Sequence, residues 1–291
     1  MIEVLLLAAS ISLSAGRSIF SKKISAFISS GKLFFLFQGF LFLLGLVAIL
    51  FFDFNLFNHV SPPTITYGLI YGLLLIGSQW LFTLALNFGT ASTCTMVYSF
   101  GFIIPTICGF IFWNEAPTVW KIIGIVLVFP LIIFVSLTKE KTKTKSNLYL
   151  IPLILSALCS GGLGIMQKVQ QQSVMAQEKT AFLFIGFLFA TLFSFVVYLI
   201  MRLNKRHQEQ ANWNNTGIIF SVGAGLCFGL ANMINTMLAA LVPATILFPV
   251  FNIGVILLTT ILGLLIFKEK PHLFEYLAFA VGVTAIVLLI I

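Results

Sequence analysis

Acidic side chains are scarce in this chain. Glu3, Asp53, Glu115, Glu140, Glu178, Glu209, Glu269 and Glu275 are all 8 of them in 291 residues, and none lies near the middle of an apolar run. The 3 histidines, His59, His207 and His272, are far apart, and the 4 cysteines, Cys94, Cys108, Cys159 and Cys227, form neither a CxxC nor a Cys/His cluster. A metal site of ordinary local spacing is therefore not expected, and neither is a disulfide framework. The reactive cluster of a membrane-embedded enzyme (paired Asp, His with Asp, or Ser with His) is also missing, so the chain is read as a non-enzyme without cofactors. It has no GxxxxGK[ST] and no polar stretch long enough to fold as a nucleotide- or nucleic-acid-binding domain, which excludes ATP and nucleic acid as partners.

What fills the chain instead is hydrocarbon. Hydrophobic residues make up 60% of it and charged residues 8%, with a mean hydropathy of +1.11; a soluble domain is roughly half apolar and a quarter charged. Apolar runs of roughly 18 residues or more read as membrane spans. They place ten helices near 2–21, 33–52, 66–88, 91–113, 118–137, 148–168, 181–202, 216–239, 243–267 and 272–291. The first run has no basic region ahead of it and is interrupted by Ser10, Ser14, Arg17 and Ser18, so it is read as a span and not as a signal peptide.

The net charge of +8 is unevenly placed. The loops after spans 1, 3, 5, 7 and 9 hold Lys22, Lys23, Lys32, Lys139, Lys141, Lys143, Lys145, Arg202, Lys205, Arg206, Lys268 and Lys270, whereas the opposite loops hold only Lys121, Lys168 and Lys179. The positive-inside rule then puts the rich set in the cytoplasm, both termini outside, and the basic segment 139–147 in the cytoplasm. The expected location is the cytoplasmic (plasma) membrane.

The second five spans repeat the first five. Gly72, Gln79 and Thr83 of span 3 recur as Gly225, Asn232 and Thr236 of span 8; Ser10, Ser14, Gly16 and Lys22 of span 1 recur as Ser156, Ser160, Gly162 and Lys168 of span 6. Tyr98 of span 4 corresponds to Asn252 of span 9. The corner Phe112-Trp-Asn-Glu-Ala-Pro117 corresponds to Ile266-Phe-Lys-Glu-Lys-Pro271, pairing Glu115 with Glu269 and Pro117 with Pro271. A proline near a helix start gives up no needed donor, and a carboxylate just ahead of that start favours its positive dipole end, so these four are read as structural corner residues. An odd number of spans per repeat inverts the halves. The predicted fold is thus an all-α integral membrane protein with ten transmembrane helices in two inverted five-helix repeats, residues 1–138 and 148–291, joined by the linker 139–147.

Polar side chains inside lipid are costly and face neighbouring helices or a cavity. Gln79 and Thr83 share one face of span 3, extended by Asn87, while Asn232 and Thr236 share one face of span 8, widened by Asn235. Each of these reads either as packing glue between helices or as the lining of a substrate path. Ser14, Ser160, Tyr98, Asn252 and Trp80 are added as candidates for the path. Arg17 is the one basic residue well inside a span: it either snorkels toward the cytoplasmic surface near Lys22 or faces a substrate, where it attracts a carboxylate or phosphate. Gly68-x-x-x-Gly72 and Gly225-x-x-x-Gly229 predict close helix packing, and Pro105, Pro130, Pro152 and Pro249 interrupt spans where they can kink them.

These features together resemble the ten-helix, EamA-type members of the drug/metabolite transporter superfamily. The marks are the Glu-x-Pro corner with Gly124 beyond Glu115, the lysines closing spans 1 and 6 (Lys22, Lys168), and the Ala-Leu pairs ending spans 3 and 8 (Ala85-Leu86, Ala240-Leu241). Two departures stand out. Ala15-Gly16 and Gly161-Gly162 stand where the family often has Trp-Gly, and Ala278 replaces the second corner glycine. The resemblance implies a central cavity surrounded by spans 1, 3, 4, 6, 8 and 9, with 5 and 10 as scaffold.

The expected function is a secondary active transporter that moves a small polar metabolite, an amino acid or related zwitterion or anion by preference, through alternating access of the inverted halves. Its expected partners are that small-molecule substrate, the lipid bilayer and a coupling ion (H+ or Na+), and it is expected as a monomer or homodimer. Export of drugs or organic cations through an aromatic-lined cavity, and lipid handling, are the alternatives. The absence of a mid-span carboxylate weighs against the cation exporter.

Overall fold

The computed structural model describes residues 2–25, 31–51, 60–86, 94, 97–137, 150–203, 215–267 and 273–291. All regular structure among these residues is helical. The elements are α1 (Ile2–Ser25), α2 (Gly31–Leu50), α3 (Pro62–Leu86), α4 (Ile103–Phe112), α5 (Val119–Leu137), α6 (Leu150–Gln172), α7 (Lys179–Leu203), α8 (Asn215–Leu241), α9 (Ala244–Phe267) and α10 (Leu273–Ile290), with 3₁₀ turns at Phe100–Phe102 and Ala176–Glu178. Among the described residues 7 helices are long and apolar enough to cross a membrane; Val97–Phe112, Val119–Phe134 and Phe279–Ile290 are shorter apolar helices. Asn87, Glu269 and Pro271 lie outside the described residues.

Several boundaries differ from those expected, for local reasons. α3 begins at Pro62, ahead of the expected 66, because Pro62 and Pro63 occupy the first turn, where no amide donor is needed. Ser61 stands immediately before them and hydrogen-bonds Thr64 Oγ1 at 3.1 Å. Pro105 has a visible local consequence. The chain is helical over Val97–Phe112, but it tightens into the 3₁₀ turn Phe100–Phe102 just where the missing Pro105 N–H leaves an i→i−4 bond unmade.

The helices form two compact units. The first comprises Met1–Leu73 and Gln170–Met237, the second Leu74–Val169 and Leu238–Ile291.

In the first unit α2 packs along α7, and α8 crosses α2 at bare backbone. A Cβ on Gly225 would lie 2.6 Å from Leu41 O, and one on Gly229 would collide with Gly45 O. Likewise a Cβ on Gly72 would lie 2.6 Å from Gly186 O of α7. Both small-residue stripes expected from the sequence are therefore helix crossings. Phe42, Phe187 and Phe228 fill the space beside them, with centroids 5.5 to 6.3 Å apart.

In the second unit α5 packs along α10, and α9 lies against α4 and α10. Gly124 and Gly282 make the α5–α10 approach close: a Cβ on Gly124 would meet Leu289 Cγ at 2.8 Å, and one on Gly282 would meet Leu131 Cδ1 at 2.6 Å. The 3₁₀ turn of the Pro105 helix meets α6 at Gly101 and Gly161, where a Cβ on Gly161 would stand 2.5 Å from Gly101 O. The Gly161-Gly162 pair is thus occupied by packing.

Candidate substrate-binding residues

On α1, Ser10, Ser14 and Arg17 follow one another at helical spacing, and α8 answers with Phe228, Asn232 and Asn235. The two stripes meet in an antiparallel register. Ser10 Oγ donates to Asn235 Oδ1 at 2.6 Å, and the Arg17 guanidinium carbon stands 3.7 Å from the centroid of the Phe228 ring. Seven steps along α1 are seven steps back along α8. Farther on, the Phe20 and Phe220 rings are 6.3 Å apart.

Arg17 is half-buried, and the ring beneath it lies thirteen residues from each end of α8 (241 − 228 = 228 − 215 = 13). Helical side chains lean toward the N-terminus of their own helix. That tilt carries Arg17 away from Lys22 and into the first unit.

Asn232 is held at both ends of its amide. Buried Tyr71 donates its hydroxyl proton to Asn232 Oδ1 at 2.5 Å, and Asn232 Nδ2 donates to Phe228 O at 2.8 Å. Thr236 Oγ1 donates to Asn232 O at 2.8 Å, one turn below. Tyr71 itself is wedged against Phe182, with centroids 4.9 Å apart.

The second unit carries the remaining described candidates. Gln79 Nε2 donates to Tyr98 Oη at 3.4 Å, and the Tyr98 ring packs on Phe82 with centroids 4.8 Å apart. Thr83 Oγ1 donates back to Gln79 O at 2.9 Å, and Asn252 Nδ2 to Phe248 O at 3.0 Å. Trp80 is 41% exposed. Ser160 is half-buried, beside the Gly101–Gly161 crossing. The amides Gln79 and Asn232 thus each engage a tyrosine hydroxyl, but from different places in the chain.

The corner at Glu115 is built differently from the expectation. Asn114, at φ 50, turns the chain after α4 so that the Glu115 N–H donates to Gly109 O at 3.2 Å. The carboxylate does not serve the helix that follows it; Thr118 does, its Oγ1 accepting from Lys121 N at 3.3 Å. Glu115 reaches the start of α9, where it accepts from Ala244 N at 2.7 Å and from Thr245 N and Thr245 Oγ1, both at 2.8 Å. Lys168 completes the cluster. Its ammonium lies 3.6 Å from Glu115 Oε1 and donates to Val242 O at 2.9 Å, and the two side chains are 5% and 10% exposed. Pro117 stays exposed at the corner. Lys168, read from the sequence as a loop charge, is a buried partner.

A parallel contact occurs in the first unit. Glu178, at the start of α7, accepts from Ser61 N at 2.9 Å and Ser61 Oγ at 2.8 Å, tying that end to the start of α3. Among the described residues no group of three or more His, Cys, Asp or Glu is placed to hold a metal ion.

Residues 147–291 match the model of the EamA-like transporter family. An uncharacterized protein of Haemophilus influenzae is 27% identical over 224 residues, covering 74% of this chain and 72% of its own length. A solved structure described only as the crystal structure of a protein superposes with a TM-score of 0.77 at 14% identity, over 98% of this chain and 95% of the other, so the two share a fold.

Proposed function

This chain belongs to the EamA-like transporter family, of the drug/metabolite transporter superfamily, and we propose that it is a secondary transporter of a small polar metabolite, an amino acid or related zwitterion or anion. It is an integral, multi-pass membrane protein. On this reading the halves 1–138 and 148–291 are inverted repeats of five spans each in the cytoplasmic membrane, and they expose a central site alternately to either side. The termini are outside and the linker 139–147 is cytoplasmic. The cargo moves with a coupling ion, H+ or Na+, and no ATP, in a monomer or homodimer.

Two sets of contacts support the topology. If ten spans alternate, Glu115, Lys168, Val242 and Thr245 all fall at one membrane face, and so do Ser61 and Glu178; each set is in hydrogen-bond or ion-pair contact. The antiparallel register of α1 on α8 is the second. Burial of Lys168 also leaves Lys121 and Lys179 as the remaining loop cations of that face, which sharpens the charge bias used for orientation.

The observation that carries the substrate class is Arg17. The guanidinium is level with the middle of α8; a guanidinium near the bilayer centre costs roughly 2.5–3.5 kcal/mol on insertion scales, and stacking on an aromatic ring returns about 0.5–2 kcal/mol. A carboxylate is the ligand that the planar fork of a guanidinium matches. Ser14, Asn232, Asn235 and Thr236 are the other polar candidates on α1 and α8 in this reading.

The test is thermal unfolding of purified protein with each of the twenty proteinogenic L-amino acids and with the matching amides, which lack the carboxylate. At 100 Kd a ligand stabilises by about 2.7 kcal/mol. At least one amino acid should stabilise the protein, its amide should not, and Arg17→Gln should abolish the effect. Stabilisation by tetraphenylphosphonium and by no amino acid would favour the organic-cation reading.

A further inference from the structure

A long side chain can reach toward water, but the Arg17 guanidinium stands over the ring of Phe228, midway along α8. Phe228 is 7% exposed and cannot swing away, because Phe187 and Phe42 close on it with centroids 5.5 and 6.3 Å distant. Those two rings are fixed in turn by glycine crossings: a Cβ on Gly225 would meet Leu41 O, and the Phe187 ring rests directly on Gly45. The backbone of Phe228 is also engaged, its carbonyl accepting from Asn232 Nδ2 at 2.8 Å. The ring is therefore a rigid platform, and a guanidinium carbon 3.7 Å from its centroid is at stacking distance.

Stacking fixes direction as well as depth. A guanidinium carries its N–H donors in its plane, and the π face has none. With one face against Phe228, the fork is held so that an oxyanion approaches edge-on, in the bidentate geometry of an arginine–carboxylate pair. A leucine of similar bulk would fill the space but would offer no negative ring face to the cation.

Resting on the transport reading above, we propose that Phe228 is a positioning residue that holds the Arg17 guanidinium level with the middle of α8 and so sets the affinity for the substrate carboxylate. Its role is electrostatic and directional, distinct from the packing that any apolar side chain could supply.

The test uses the full chain. Arg17, Arg202 and Arg206 are the protein's arginines, so arginine-selective 15N labelling gives a sparse spectrum in which Arg17→Lys assigns the Arg17 signal. That signal should be displaced by the ring current relative to Arg202, return to the ordinary position in Phe228→Leu, and stay displaced in Phe228→Trp. Replacing Phe228 by pentafluorophenylalanine keeps the shape and removes the negative face, which guards against a leucine variant that fails to fold. It should weaken binding of the stabilising amino acid about tenfold, about 1.4 kcal/mol, and leave thermal stability without ligand nearly unchanged. An Arg17 signal that is the same in Phe228→Leu as in the native protein overturns the proposal. So does amino-acid binding that Arg17→Gln abolishes but the fluorinated ring leaves intact, in which case the transport reading stands. Binding unchanged by Arg17→Gln overturns both.

Discussion

Lys168 and Glu115 approach to 3.6 Å at the point where α9 begins, and the ammonium also donates to Val242 O at 2.9 Å. The two partners are not symmetric. Without Lys168, Glu115 still accepts from Ala244 N, Thr245 N and Thr245 Oγ1; without the Glu115 charge, a buried ammonium is left with the Val242 carbonyl and the Trp113 ring, 6.0 Å away, and no counter-charge. Glu115→Gln should therefore destabilise by about 3 kcal/mol and Lys168→Met by about 1 kcal/mol, since removing one member of a buried pair costs most when it strands the other. Thermal unfolding in detergent measures both, and the double variant should be less unstable than the sum of the singles.

The glycine crossings give a second prediction with an internal control. Gly225→Ala places a methyl 2.6 Å from Leu41 O, so α2 and α8 must separate; overpacking of this kind costs about 1–3 kcal/mol. Gly16→Ala meets only Cys227 Sγ, at an ordinary 3.6 Å, and should be neutral within about 0.5 kcal/mol. Equal losses at both positions would show that the crossing is not the cause.

A third prediction concerns the α1–α8 seam. Ser10 and Asn235 are joined at 2.6 Å. A double-mutant cycle with Ser10→Ala and Asn235→Ala should give a coupling of about 0.6 kcal/mol, and no more than about 1.7 kcal/mol, the range for hydrogen bonds between membrane helices. Tyr71→Phe, which removes the donor to Asn232 Oδ1 and keeps the ring against Phe182, should cost a similar amount.

Much of this was legible before any coordinates. Hydropathy located the helices, and the Gly68/Gly72 and Gly225/Gly229 spacings marked crossings, because both are properties of one helix at a time. What the sequence left ambiguous involved partners distant along the chain. Glu115 precedes α5 by a few residues, so a dipole argument sends it there; only the turn at Asn114 shows that it serves α9. Lys168 sits near a helix end and reads as a loop charge until Glu115 and Val242 O are seen around it. The two readings of Arg17 differ in direction, and the tilt of helical side chains was a signal that could have ranked them. Phe228 was hidden among 32 phenylalanines, though its place one turn before Asn232 and opposite Arg17 in an antiparallel register could have singled it out.

The inversion of the two halves is the claim on which transport by alternating access depends. It is tested most directly by placing single cysteines at Lys22, the exposed end of α1, and at Val174, 94% exposed between α6 and α7, in a background lacking Cys94, Cys108, Cys159 and Cys227. In intact cells an impermeant maleimide should label Val174→Cys from outside, and Lys22→Cys only after the membrane is opened. Labelling of both from the same side would contradict the account.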